Sequence, residues 1–269
     1  MRAIFAASIG PLLVIAAQAA PKEPVIVYHI HGGAVFSYVD DTLKVHPEGR
    51  VELSTYSPFP YNLESENSIG QFEGKITKES YRALADASGA YFKSAHNSKP
   101  APNDSVSVEL YFAGTDNMNH AAWPLADSPA VKELEDRFYA IKKAAMNKAV
   151  SALQLKCARA ENLLKCNYVN VGTNAIQTVD PLQVSGSIFC VGSKSKRVVL
   201  NPLPEYDPKK MTPRKITIPA GKNYAFEVAL VPACVGRVTV KTTDVRLNRA
   251  YAGLLLGELV SNPLPAEKR

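Results

Sequence analysis

All four cysteines of this chain, Cys157, Cys166, Cys190 and Cys234, fall in its second half, and a leader of secretory type precedes them by more than a hundred residues. The leader is MRAIFAASIGPLLVIAAQAA: one basic residue, Arg2, then an apolar run broken by Pro11, then the small-x-small triplet Ala17-Gln18-Ala19 of a peptidase site. Residues 1–19 are therefore read as a signal peptide. The run is too short for a membrane span, no cysteine follows the cleavage position, and the exported chain is expected in a periplasmic or secreted, disulfide-permissive compartment. An even cysteine count then implies two disulfides. Three pairings are open; the expectation is Cys157–Cys166 across a hairpin and Cys190–Cys234 between strands far apart in sequence. The spacing fits neither Cys-x-x-Cys redox chemistry nor a compact zinc site.

Hydrophobic periodicity divides the chain. Up to about residue 150 it mixes strand and helix patterns. Residues 25–30 form a short β run, 34–45 a longer strand with Val35, Val39, Leu43 and Val45 on one parity, and Pro47-Glu48-Gly49 a turn before Val51, Leu53 and Thr55. Residues 71–75 read as a strand. Thr77 caps a helix expected to run to about Ala87, with Tyr81, Leu84 and Ala85 inward. Val106, Val108, Leu110 and Phe112 alternate as a strand, and residues carrying Asn117, Asn119, His120 and Trp123 read as a loop. Ser128-Pro129 opens an amphipathic helix through Val131, Leu134, Phe138, Ile141 and Ala145 to about Lys148.

From Leu153 the period becomes that of strands, expected over 153–157, 164–170, 184–191, 197–200, 214–218, 224–230, 236–245 and 252–260. Charge changes sign at the same place. Residues 20–150 hold 13 basic and 17 acidic side chains, net −4, and residues 151–269 hold 17 and 8, net +9. The expected organisation is an α+β module over 20–150, a β-meander with two helices, then an all-β, disulfide-bonded sandwich over 151–261 and a tail over 262–269.

No His-Glu-x-x-His, Gly-x-Ser-x-Gly, P-loop or dinucleotide pattern occurs. Ser193-Lys194-Ser195-Lys196 and Lys241-Thr242-Thr243 match fragments of an acyl-serine signature, but the third element, Ser-Asp-Asn, is missing, and the first is read as a polar turn. No basic stripe interleaved with aromatics marks a nucleic-acid surface. His29 and His31 lie two apart on a strand, on one face, with Asp40 and Asp41 on the next strand; if those strands pair, the set could hold Zn²⁺ or Cu²⁺. Hydrogen-bonded strand histidines are the plainer reading, so no metal and no cofactor is assigned. Recognition falls instead to Gly32 and Gly33, where backbone can approach a surface closely, to Phe59 and Tyr61 in a loop stiffened by Pro58 and Pro60, and to Trp123.

The first half carries Ile26-Val27-Tyr28, then Gly32-Gly33, then Asp40-Asp41-Thr42-Leu43-Lys44-Val45, the turn Pro47-Glu48-Gly49-Arg50, Gly74-Lys75-Ile76-Thr77 opening a helix with Tyr81 and Leu84, a strand over 105–112, and a helix after Pro129 with Leu134. In this pattern it resembles the small bacterial domains, emfourin among them, that inhibit thermolysin-like metalloproteases. Phe36-Ser37-Tyr38 stands where those domains have a glycine, and the loop over 57–68 is extra. The leader, the cysteines, the two modules and the lack of a catalytic constellation point to an exported, non-enzymatic binding protein, and the resemblance implies a protease inhibitor acting through a loop of the first module. The alternative expectation is a structural or adhesive cell-envelope protein whose basic second half touches anionic glycans or lipids.

Overall fold

The computed structural model describes residues 23–32, 39–56, 68–94, 106–113, 120–124, 129–192, 197–202, 214–231, 234–242 and 254–264; of these, 120–124, 130, 191, 192 and 235 are described in backbone only. The strands are β1 (Val25–Gly32), β2 (Val39–Val45), β3 (Arg50–Thr55), β4 (Ser68–Lys75), β5 (Val106–Ala113), β6 (His120–Pro124), β7 (Ala149–Ala160), β8 (Leu163–Asn170), β9 (Ile176–Val179), β10 (Ile188–Gly192), β11 (Arg197–Val199), β12 (Lys215–Ile218), β13 (Asn223–Ala229), β14 (Cys234–Lys241) and β15 (Glu258–Val260). Two helices lie among the described residues, α1 (Lys78–Ser94) and α2 (Pro129–Ala145).

Nine strands form one antiparallel sheet in the order β13-β8-β7-β4-β3-β2-β1-β5-β6. A second sheet has the order β11-β10-β14-β15, and β12 pairs with β9. Side chains alternate across a strand, so ladder register assigns each residue to a face. On one face of the large sheet Tyr28, Leu43, Leu53, Phe72 and Leu110 are buried beneath Leu84, Leu134 and Phe138 of the two helices. Tyr28 and Phe138 stack with ring centroids 4.3 Å apart. The opposite face, at the β7-β8-β13 end, buries Leu155, Cys157, Cys166, Tyr168 and Phe226 against Cys190, Val238 and Val240 of the second sheet, a sheet-on-sheet core. The covering layers thus sit on opposite faces and opposite halves of a single sheet, and among the described residues neither layer extends over the other's half-face.

The large sheet crosses residue 150, where the sequence suggested a division. β4 pairs with β7, and their register slips once, Gln71 facing Ser151 and Phe72 facing Ala149, so Val150 is the extra residue of a β-bulge. Its carbonyl accepts from the backbone N–H groups of Thr173 and Asn174, each at 3.0 Å. The apolar side chains still gather in separate clusters on the two faces of the sheet, Ala152 of β7 joining the first and Ile69 of β4 the second.

Thr77 caps α1, its Oγ1 accepting from the Ser80 N–H at 3.1 Å. The helix runs past Ala87 to Ser94, because Tyr91 and Phe92 add a further turn of apolar contact with the core. The expected loop around His120 and Trp123 is corrected: the backbone of His120–Pro124 is an edge strand pairing with β5, Trp123 opposite Val108, with Pro124 at the strand end where an edge tolerates it. Val184 follows a 3-10 turn over Pro181–Gln183 rather than opening a strand, β9 was not anticipated, and of the strand expected over 252–260 the described residues 254–260 form strand in β15 alone. Both disulfides have the expected pairing. Cys157 and Cys166 face each other across the β7–β8 hairpin with Cα atoms 4.1 Å apart, and Cys190–Cys234 ties neighbouring strands β10 and β14.

Candidate functional site

The half-face of β1 to β5 turned away from the helices carries a groove among the described residues. Its floor is polar because the apolar parity of β2, β3 and β4 is turned to the helices: Asp40 and Thr42 on β2, Ser54 on β3, Gln71 on β4 and Ser151 on β7 line it. Its wall is the near end of the second layer, with Ile176, Gln177 and Leu254 to Leu256. Floor and wall enclose a groove of about 610 Å³.

The wall is fixed in place. The Leu255 N–H donates to the Gln177 carbonyl at 2.8 Å, and Thr178 Oγ1 donates to the Leu255 carbonyl at 2.7 Å. The next residues dock on β3: the Glu258 N–H donates to the Tyr56 carbonyl at 3.0 Å. Gly257 permits this approach, since a Cβ there would stand 2.4 Å from the Tyr56 carbonyl oxygen. Thr242, read in the sequence as part of a weak acyl-serine match, is buried, and its hydroxyl exchanges hydrogen bonds with the Gly257 backbone at 2.7 and 3.0 Å. Its role is to hold this segment.

At the far end of the floor stands a cluster of titratable side chains. His29 Nε2 donates to Asp40 Oδ1 at 2.8 Å, His29 Nδ1 lies 3.3 Å from Glu109 Oε2, and His31 Nε2 lies 3.3 Å from Glu109 Oε1. The two imidazoles stack with centroids 4.7 Å apart. The hydrogen bond to Asp40 raises the His29 pKa above its ordinary value; partial burial opposes this, and Glu109 reinforces it. Partial burial pushes the Glu109 carboxyl up, but the two histidines outweigh it and hold the group below its usual range.

The residues singled out in the sequence have different fates. His29, His31 and Asp40 come together on the face turned away from the helices, whereas Asp41 points the other way and pairs with Lys142 of α2 in the core. Gly32 ends β1, its backbone between Val39 and Val106. Gly33, Phe59, Tyr61 and the 193–196 segment lie outside the described residues, and so does the side chain of Trp123. Glu109 was missed. Its signal was one polar residue on the outward parity of a strand, with nothing local to show that β5 pairs with β1.

In comparisons with known proteins, no family model matches the chain and no curated protein matches it.

Proposed function

We propose that this protein is an exported, non-enzymatic binding protein, and that its first half recognises and inhibits a secreted metalloprotease. The observation that carries the reading is the polar groove between the sheet floor and its wall, beside the clamped base of the 57–67 segment. Strand-borne side chains lose little freedom on binding, so a partner resting on this floor meets a pre-organised surface. At the base of the segment, the Tyr56 N–H donates to Asp41 Oδ1 at 3.1 Å, Thr55 Oγ1 donates to the Ser68 carbonyl at 3.4 Å, and Gln154 Nε2 donates to Ser68 Oγ at 3.0 Å. Phe59 and Tyr61 are carried by the segment between these fixed ends. The leader and the two disulfides suit an oxidising compartment. No helix among the described residues is long and apolar enough to cross a membrane.

The test is inhibition of a panel of exported metalloproteases by the mature chain at micromolar concentration. Phe59→Ala/Tyr61→Ala is expected to weaken inhibition by more than about 2 kcal/mol while leaving the fold intact. A panel left fully active, together with pull-downs in which the double variant behaves like the parent, would overturn the assignment.

A second reading draws on the opposite half-face, at the β7-β8 end, where Lys156 and Lys165 are exposed in a half of net charge +9. It is an envelope protein touching anionic glycans or lipids. Binding to anionic vesicles that fades with added salt would favour it, since exposed charges are screened.

A further inference from the structure

We propose that His29, His31 and Glu109 form a binding site for a divalent transition-metal ion, Zn²⁺ or Cu²⁺, with Asp40 as the outer carboxylate that orients His29. The site is independent of the inhibitor reading.

The geometry carries the proposal. A tetrahedral ion with ligand bonds of about 2.0–2.1 Å separates its donor atoms by roughly 3.3 Å. His29 Nδ1 and His31 Nε2 each stand 3.3 Å from an oxygen of Glu109. One ligand atom from each of the three side chains can be chosen so that all lie within 4.8 Å of one another. Backbone pairing holds them there: His29 faces Glu109 directly in the β1–β5 ladder, and His31 follows two residues on, on the same face. Neither loop nor terminus is involved, so the donors are placed before any ion arrives.

The outer partner is also in place. A metal-bound imidazole ordinarily gives its second N–H to a carboxylate, which fixes tautomer and ring plane. His29 directs Nδ1 toward Glu109 and gives Nε2–H to Asp40 at 2.8 Å. Two imidazoles and a carboxylate favour Zn²⁺ or Cu²⁺ over Mg²⁺ or Ca²⁺, which want more oxygen donors. The side chains of His29, His31 and Glu109 are 26%, 33% and 30% exposed, so the fourth position opens to solvent and can hold water or a donor from a partner.

The experiment is calorimetric titration of the untagged, chelator-treated mature chain with ZnCl₂, repeated with CuCl₂ and followed by electron paramagnetic resonance. One equivalent should bind with micromolar or tighter affinity. His31→Ala and Glu109→Gln should each weaken this by about ten-fold or more, and Asp40→Asn by about 10–100-fold, the usual cost of losing an outer partner. The Cu²⁺ spectrum should show two coupled imidazole nitrogens in the parent and one in His31→Ala, a readout that does not depend on affinity. Thermal melts of the metal-free variants identify any that fails to fold. Absence of stoichiometric binding by the parent, or equal affinity and an unchanged spectrum in folded His31→Ala, would overturn the proposal.

Discussion

Lys142 of α2 reaches through the first core to Asp41 of β2, and the two form an ion pair with side chains only 5% and 3% exposed. A buried pair gains little over an apolar one, but breaking it strands a charge. Lys142→Ala should therefore cost about 3–5 kcal/mol in urea unfolding. Lys142→Met combined with Asp41→Asn, which keeps the Oδ1 acceptor for the Tyr56 N–H, should recover most of that loss. If the double variant is no more stable than Lys142→Ala, the stranded charge is not the cause.

The two disulfides should differ in worth. Cys157 and Cys166 are 9 apart in sequence, Cys190 and Cys234 are 44 apart, and loop-closure entropy grows with the length closed. Replacing each pair by alanine is expected to cost about 2.5 kcal/mol for the first and about 4 kcal/mol for the second. Denaturant midpoints of the two double variants test the order, and the reverse order would refute it.

Gly70 sits on the β4–β7 seam with φ of +130°, and a Cβ there would lie 2.1 Å from the Ser151 carbonyl oxygen. Gly70→Ala should destabilise the protein by about 2–3 kcal/mol through strain alone. It should also loosen the seam, so that the amides of β4 and β7 exchange faster than those of β1 and β2. Uniform exchange across the sheet would argue against a weakened seam.

Tyr81 is buried, and its hydroxyl donates to the Pro24 carbonyl at 2.6 Å. Burial, aided by the carboxylates of Glu23 and Glu48, pushes its phenol up to about 12. An unfolded tyrosine ionises near pH 10, so the folded state keeps its proton where the unfolded chain loses it. The stability this group provides is present below about pH 10 and is lost as pH rises toward 12. Tyr81→Phe should cost about 1 kcal/mol at pH 8. By pH 11 parent and variant should converge; a constant gap would show that the phenol does not titrate as described.

Local pattern made much of this fold readable. The parity of Val51, Leu53 and Thr55, the Thr77 cap and the Leu134-Phe138 spacing each mark an element that the structure contains. What was not readable was lateral. The change of period near residue 150 is real, for α2 ends at Ala145 and β7 begins at Ala149, but it reports a change of element, and β7 joins the sheet begun by the first half. β6 escaped notice because Asn117 and Asn119 suggest a turn and Ala121-Ala122 offers no alternation. In the candidate site, His29 and His31 declare a shared face, yet Glu109 lies 80 residues from His29, and only the β1–β5 pairing brings it there.

The β4–β7 seam also bears on how the chain can be made. Synthesis runs from the N-terminus, so β4 emerges with one hydrogen-bonding edge unsatisfied and stays so until β7 follows α2 out. An uncapped edge is a template for any stray strand nearby. The first half is therefore most exposed to mispairing with other nascent copies during that interval, and completion of β7 is what closes it.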